Sequence, residues 1–515
     1  MLPLIPLISV VVPLVVGVLT LLLPWPAERR ARFSTLIHAG LLLLLLGLFP
    51  AVRAGRPLTY NVAALLPPHG LFLRVDTLGY LLALVVAFIW FLSSLYALAY
   101  MQCEKHIPRY WAFSNFTLCG CLGVAFAGDL FSFFIFFEFM SLISYMLVIH
   151  TETPAALRAG AKYLYLGIIG GLFLLYAIIA TYDLAGELSF TALRSFRFPD
   201  FSLYTFSIFL SYVIGFGIKA GMVPLHVWLP DAHPVAPAPA SALLSGVLLK
   251  TGAFGMARTF LDVFGRTYLE AAGWAQIVVV LAGISIIFGS LVAIVQDDLK
   301  RRLAYSSISQ MGYILLGLGL LTPAGLYGAV LHILNHALMK SGLFLAAGAV
   351  IFRTGRHKVS ELDNVGWAMP RTMLAFTVTA LAMVGIPPLG GFISKWYLGL
   401  GAVSGGQPLF LGFLLLSSFL NALYYLPIVT RAFFNRAASP FAAFQVLPPE
   451  EAPTAASDTA SGPLPLEPRP LLPELPPAML FSILTLAAGT LFFGLFPTSP
   501  PFSLAQEVVQ TYFGG

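Results

Sequence analysis

Apolar residues in this chain run in long unbroken stretches and do not alternate with polar ones. About fourteen stretches qualify, at roughly 2–23, 33–50, 77–100, 109–127, 129–149, 160–182, 202–222, 239–260, 273–295, 302–321, 325–352, 371–393, 407–433 and 478–496. A helix needs about 20 residues to cross a bilayer core. The pattern therefore predicts an all-α polytopic membrane protein with about 14 transmembrane helices, and continuous runs without period-two alternation exclude a transmembrane β-barrel. Two stretches carry helix breakers beside a lysine: Lys219-Ala-Gly-Met-Val-Pro224-Leu-His226-Val-Trp228-Leu-Pro230-Asp231-Ala-His233, and Gly385-Ile-Pro387-Pro388-Leu-Gly390-Gly391-Phe-Ile-Ser-Lys395-Trp396. Proline inside a membrane helix frees carbonyls that only protein or water can satisfy. Two broken helices are expected, and such breaks in corresponding halves point to an ion path.

Residues 437–474 break the pattern differently. They are rich in proline and small residues, with acids outnumbering bases, which predicts a solvated, irregular loop on the inner face.

Composition agrees with the pattern. The chain is 59% hydrophobic and 10% charged, against about 25% charged in soluble domains. If residue 1 faces outward, the loops on the inner side carry 17 Lys and Arg and those on the outer side 7, with Arg258 counted among the latter. This asymmetry predicts a multi-pass protein of the cell (inner) membrane with both termini outside. The first apolar run has no basic residue before it, which fits an outward-facing first span better than a cleaved signal peptide. The net charge of +6 then reflects inner-surface topology and implies no nucleic-acid partner. Cys103, Cys119 and Cys121 form neither a disulfide framework nor a CxxC pair, so no iron–sulfur cluster, structural zinc or other cofactor is expected.

Five charged residues lie deep in apolar stretches: Glu138, Lys219, Lys250, Lys340 and Lys395. A charge at that depth costs about 3 kcal/mol even on insertion scales. The simplest reason for keeping five is a polar path for a cation, most simply a proton. Glu138, set among phenylalanines, is the natural partner of an intramembrane lysine. Lys250 is too central to snorkel, and unlike arginine a lysine can release its proton. His332, His336 and Lys340 fall at i, i+4 and i+8, along one helix face; three titratable groups stacked there read as a wire, although a lone buried histidine is more often a hydrogen-bonding core residue. Zinc at His332 and His336 lacks a further ligand, so no metal is expected. His226, Asp231 and His233 serve either as a cytoplasmic entry or as caps on broken helix ends.

Together these motifs resemble the antiporter-like subunits shared by respiratory complex I, Mrp-type cation/proton antiporters and membrane-bound energy-converting hydrogenases. The resemblance covers roughly residues 70–435. It rests on Phe137-Glu138-Phe, the Lys219–His233 segment, Ala236-Pro with Leu249-Lys250-Thr-Gly, His336 to Lys340, and Gly385-Ile-Pro-Pro-Leu-Gly-Gly-Phe392 with Lys395. Lys395 and the short tail look most like the Mrp D-type subunit; one complex I subunit type has glutamate at the Lys395 position, and the largest members add a long lateral helix.

The resemblance implies two inverted five-helix repeats, residues 109–260 and 273–433, after N-terminal helices (1–108) and before a C-terminal helix and tail (475–515). It implies no catalytic residue. Glu138 would pair with Lys219, Lys250 would be the central carrier, His332, His336 and Lys340 would continue the path, and Lys395 would be the exit. At ~4 Å and an effective dielectric near 20, the pair would couple to its surroundings by about 4 kcal/mol. The expected function is proton translocation, with sodium exchange as an addition, within a hetero-oligomeric membrane complex. The alternatives are a self-sufficient monovalent cation/proton antiporter and a structural membrane subunit.

Overall fold

The computed structural model describes residues 2–56, 58–66, 69–435 and 474–514. The predicted loop at 437–474 lies outside the described residues, apart from Glu474. Among the described residues eleven helices are long and apolar enough to cross a membrane, fewer than the fourteen stretches predicted. The differences have local causes. Ile107–Phe126 and Leu299–Gly319 are of similar length but carry more polar side chains. The stretch predicted at 371–393 is divided into Pro370–Val384 and Gly390–Ser404.

An all-α reading also missed a hairpin. Leu58–Leu66 pairs antiparallel with His69–Val75, Leu58 opposite Val75 and Tyr60 opposite Leu73. Its buried positions Leu58, Leu73 and Val75 face the bundle, while the Thr59–Arg74 pair takes the other face, as strand alternation requires. The hairpin is tied to the helices by Phe72, whose N–H donates to the Ser132 hydroxyl at 2.8 Å and whose carbonyl accepts from Gly128 N at 2.8 Å.

Both expected breaks are present. Leu203–Ala220 stops at Gly221 (φ 70°) and Pro370–Val384 at Gly385 (φ 93°), left-handed positions where a side chain is strained. Each break holds a cis X–Pro bond, Val223–Pro224 and Pro387–Pro388.

Local features recur at a constant offset of 169 residues. Asp129 and Asp298 cap Leu130–Val148 and Leu299–Gly319 through the amides of Ser132 and Arg301. Thr153 and Thr322 cap two 32-residue helices, Pro154–Ala185 and Pro323–Thr354, which end at left-handed Gly186 and Gly355. Isolated bridges join Asp129 to Ser189 and Asp298 to Lys358.

At the hairpin end of the bundle Arg258 is buried, correcting its assignment to a loop. It lies in the continuous helical stretch Ala238–Val263 and donates to Asp76 Oδ2 at 2.7 Å, Asp76 Oδ1 at 2.9 Å and Asp262 Oδ2 at 2.9 Å. Asp76 also caps Thr77–Tyr100 through Gly79 N. Burial pushes the Asp76 carboxyl up, but the Arg258 guanidinium and these hydrogen bonds outweigh it and hold the group at about 2, below its ordinary 3.8. A depressed carboxylate contributes stability that is full above its unfolded pKa and lost as pH falls through the folded one. The detergent-solubilised chain is therefore expected to lose stability between pH ~4 and ~2 partly through this group, and Asp76→Asn should flatten that acid limb in a melting series. An unchanged limb would show that Asp76 carries no such linkage.

Candidate functional site

The two breaks and the π-helical turns of Ala238–Val263 place the intramembrane cations. Leu244–Leu248 is a π segment, a widened turn that frees carbonyls and is common at functional sites. The freed Ser245 carbonyl accepts from Lys250 Nζ, five residues on. Ser245 Oγ then meets Ser307 Oγ of Leu299–Gly319 at 2.8 Å. The adjacent Ser306 hydroxyl is bonded to Lys340 Nζ and lies 2.9 Å from Tyr425 Oη. Lys340 also donates to Leu303 O at 2.7 Å and Tyr425 Oη at 3.2 Å. Lys250 and Lys340 are fully buried; the Ser245 hydroxyl leads through Ser307 Oγ to the Leu303 carbonyl that Lys340 also uses, while Lys250 itself is held by the Ser245 carbonyl.

The line continues toward the second break. Tyr425 packs on Tyr424, whose hydroxyl bonds Asn421. Asn421 Nδ2 and Lys395 Nζ share the Met383 carbonyl at 3.0 and 2.7 Å, and Lys395 also reaches Ser418 Oγ at 3.1 Å. Its ammonium lies 4.9 Å from the Tyr313 ring centroid. Tyr313 stacks on His332, which is held by Ser394 Oγ at 2.8 Å and Gln310 Oε1 at 3.0 Å. His332 and His336 lie nearly parallel, with centroids 5.7 Å apart. Both His336 nitrogens are buried without a protein partner among the described residues.

The Lys219 group stands apart. Lys219 Nζ donates to Tyr163 Oη at 2.6 Å and Ser141 Oγ at 3.1 Å. The expected contact with Glu138 is not formed: Oε1 of the half-buried Glu138 is itself without a partner among the described residues. Ser141, one turn along the same helix, takes the ammonium instead. The pair's coupling acts over a longer distance than the ~4 Å contact assumed from sequence, and is correspondingly weaker. Between Lys219 and Lys250 the helices meet backbone to backbone: a Cβ on Gly252 would lie 2.5 Å from Ala220 N and 2.8 Å from Phe216 O. Glycine permits this approach.

Of the three suggested entry residues, Asp231 is engaged in ion pairs with Lys162 and with Arg301 at 2.9 Å, a clamp between helices more than an open carboxylate. His233 is buried, stacks on Phe344 at 4.5 Å and has both nitrogens unpartnered among the described residues. His226 packs edge-on against Phe288 at 5.0 Å. Lys300, counted from sequence as a loop residue, is buried and donates to Ala236 O at 2.6 Å. Among the described residues no group of three or more His, Cys, Asp or Glu side chains comes together to hold a metal.

The bridging hydroxyls were missed from sequence. The signal lay in Tyr305-Ser306-Ser307-Ile-Ser309-Gln310, a polar run within an otherwise apolar span.

Residues 127–421 match the family described as NADH:quinone oxidoreductase/Mrp antiporter, transmembrane. The chain belongs to this family. Both breaks, all four lysines, Glu138 and the paired histidines fall inside the matched region of this antiporter-family chain. It is 35% identical over 503 residues to NADH-quinone oxidoreductase subunit N of Desulforudis audaxviator, covering 95% of both chains. It is 28% identical over 397 residues to the D-type subunit of the Na(+)/H(+) antiporter of Alkalihalophilus pseudofirmus, covering 77% of this chain and 80% of that one. Its fold superposes on a chain of the Mrp complex from Dietzia sp. DQ12-45-1b with TM-score 0.83 at 24% identity, covering 99% and 97%. These relatives place it among membrane antiporter-like subunits with transmembrane helices.

Proposed function

We propose that this chain translocates protons as one membrane subunit of a multi-subunit redox-driven pump or antiporter complex, through a relay of Glu138, Lys219, Lys250, His332, His336, Lys340 and Lys395. The observation that carries the reading is the line from Lys250 through Ser245, Ser307 and Ser306 to Lys340 and Tyr425. Lysines and hydroxyls both give and accept protons during exchange: Lys340 bonds the Ser306 and Tyr425 hydroxyls directly, whereas Lys250 bonds the Ser245 carbonyl, so a proton passing between the two lysines would need water to bridge from Lys250 to the serine hydroxyls. A purely structural role for the lysines explains this poorly: an apolar residue of similar volume would fill each site without the cost of burying an ammonium.

The unpartnered imidazoles support the same reading. A buried polar nitrogen without a protein partner is costly unless water reaches it, and water next to His336 and His233 would carry protons to and from the lysines. The cargo favoured by the side chains is the proton. Ammonium groups repel a sodium ion, whereas sites for hard cations are built from oxygen ligands.

The constant offset of 169 residues between the two sets of caps and bridges supports two repeats spanning about 109–260 and 273–433, with one break in each. The basic-residue asymmetry supports termini on the outer side. Chains related to this one occur in assemblies such as the Mrp complex of Dietzia, which supports neighbouring membrane subunits as its partners.

The test is proton uptake by inverted vesicles carrying the assembled complex. Glu138→Gln keeps the shape and removes the charge, so the initial rate should fall at least about fivefold, equivalent to ~1 kcal/mol on the barrier, with Glu138→Asp retaining part of it. Wild-type uptake by the glutamine variant would remove Glu138 from the relay.

A further inference from the structure

A cavity of 410 Å³ opens at the hairpin end of the bundle, lined in part by Arg56, Arg74, Asp76, Thr191, Arg194 and Tyr512. Its charges do not cancel. Arg258 is shared between Asp76 and Asp262, and Arg194 is bonded to Asp262 and, at 2.6 Å, to the Tyr512 hydroxyl. Those two guanidiniums offset the two carboxylates. Arg74 is held only by a neutral group, the Thr191 hydroxyl, and the exposed Arg56 side chain has no hydrogen bond or ion pair, both among the described residues. Arg74 also acts on Asp76 through space, but four guanidiniums stand against the two carboxylates of this cluster, so a net positive charge remains facing one concavity.

A second, apolar groove of 540 Å³ lies further along the same helices, lined by residues including Leu42, Leu46, Leu84, Phe88, Leu338 and Phe492. Both line the same two helices, Thr77–Tyr100 and Pro500–Phe513. Leu78 and Val508 border the cavity, and Leu81 and Leu504, each one turn away, border the groove. Leu78, Leu81, Val85 and Phe88 fall at i, i+3, i+7 and i+10, one face of one helix. The charged cavity and the apolar groove thus follow one another along the same two helices, and the furrow they outline runs from the end of a membrane helix toward its middle.

We infer that this furrow is a binding site for an anionic phospholipid, its phosphate held by Arg56 and Arg74 and an acyl chain laid along the groove toward Phe88 and Leu338. A free inorganic anion has no use for the groove, and a neutral lipid has no use for a net positive charge. Basic pockets between membrane helices suit lipid headgroups for this reason, and guanidinium–phosphate bonds are the strong, charge-assisted kind. The site lies apart from the lysine line and does not depend on the transport reading.

The full chain, purified in detergent and titrated with phosphatidylglycerol, phosphatidylcholine or inorganic phosphate while bound lipid is followed by native mass spectrometry, tests the assignment. Phosphatidylglycerol should bind in preference to phosphatidylcholine, and inorganic phosphate at the same concentration should not displace it. Arg56→Gln with Arg74→Gln should weaken phosphatidylglycerol at least about tenfold, the equivalent of one lost charge-assisted contact. Gly489 borders the groove, and a Cβ there would meet Leu338 at 3.7 Å in ordinary contact. Gly489→Phe should therefore fill the groove and weaken the lipid while both arginines remain. Equal binding of the two lipids, or unchanged affinity in the double arginine variant at an unchanged melting temperature, would overturn the inference. So would displacement by phosphate combined with indifference to Gly489→Phe, which would leave only a small-anion site.

Discussion

Replacing Lys250 by alanine is expected to stop proton translocation while leaving the complex assembled. Lys250 is fully buried, and the Ser245 carbonyl that accepts from it lies next to the hydroxyl line to Lys340. Removing the ammonium takes away the group that accepts and releases the proton at that point. The loss should be at least about tenfold, ~1.4 kcal/mol on the barrier. Lys250→Met preserves the packing volume and should fail equally, which separates the missing proton from a missing side chain. Lys250→Arg is the sharper variant: it keeps the positive charge but cannot be deprotonated in a protein, so a relay predicts loss and a fixed electrostatic role predicts retention. Proton uptake and subunit content, measured on the same vesicles, decide between them. Normal uptake by the alanine variant removes Lys250 from the relay.

The second large effect concerns stability. Arg258→Met should cost about 3–5 kcal/mol, because it removes one of the two guanidiniums on the buried Asp262 and the one hydrogen-bonded to Asp76. Asp262 would keep Arg194 and the Tyr512 hydroxyl at 2.9 Å, which sets the loss nearer the lower end. Arg258→Lys should fall between, since a lysine cannot reproduce the two-pronged contact with Asp76. Denaturant unfolding in micelles measures both. A cost below ~1 kcal/mol would mean that the cluster is solvated and behaves like a surface ion pair.

What the sequence disclosed follows from contrast. A lone lysine in a run of leucines and phenylalanines stands out because membrane insertion penalises it, so Lys250 and Lys340 were legible, as were the breaks flagged by Pro224 and Pro387-Pro388. Ser245, Ser306, Ser307 and Tyr425 were not. Hydroxyls are cheap in membrane helices because they can bond back to their own backbone, as Ser285 does to Leu281 and Ser290 to Ile286; only the fold shows which of them face a neighbouring lysine. Arg258 was misplaced because it lies near the end of an apolar run, where an arginine usually marks a loop. Its acid partners are Asp262, one turn on, and Asp76, 182 residues earlier, and no local pattern joins them. The hairpin was missed because its alternation is short. The contact expected between Glu138 and Lys219 failed by a single turn: the choice between Glu138 and Ser141 depends on helix rotation, which residue spacing alone does not settle.

The widened turn at Leu244–Leu248 has a consequence for how this segment tolerates change in length. In a regular helix each residue turns the chain by about 100° and advances it by about 1.5 Å. Deleting one residue from 244–248 would put an ordinary turn in place of the widened one, and because either kind closes about one full rotation, the residues after it would keep nearly the same facing. Gly252 would stay at the tight crossing with Ala220. Such a deletion would instead change the spacing between Lys250 and the Ser245 carbonyl it uses, so a shortened chain should fold and lose the lysine's acceptor.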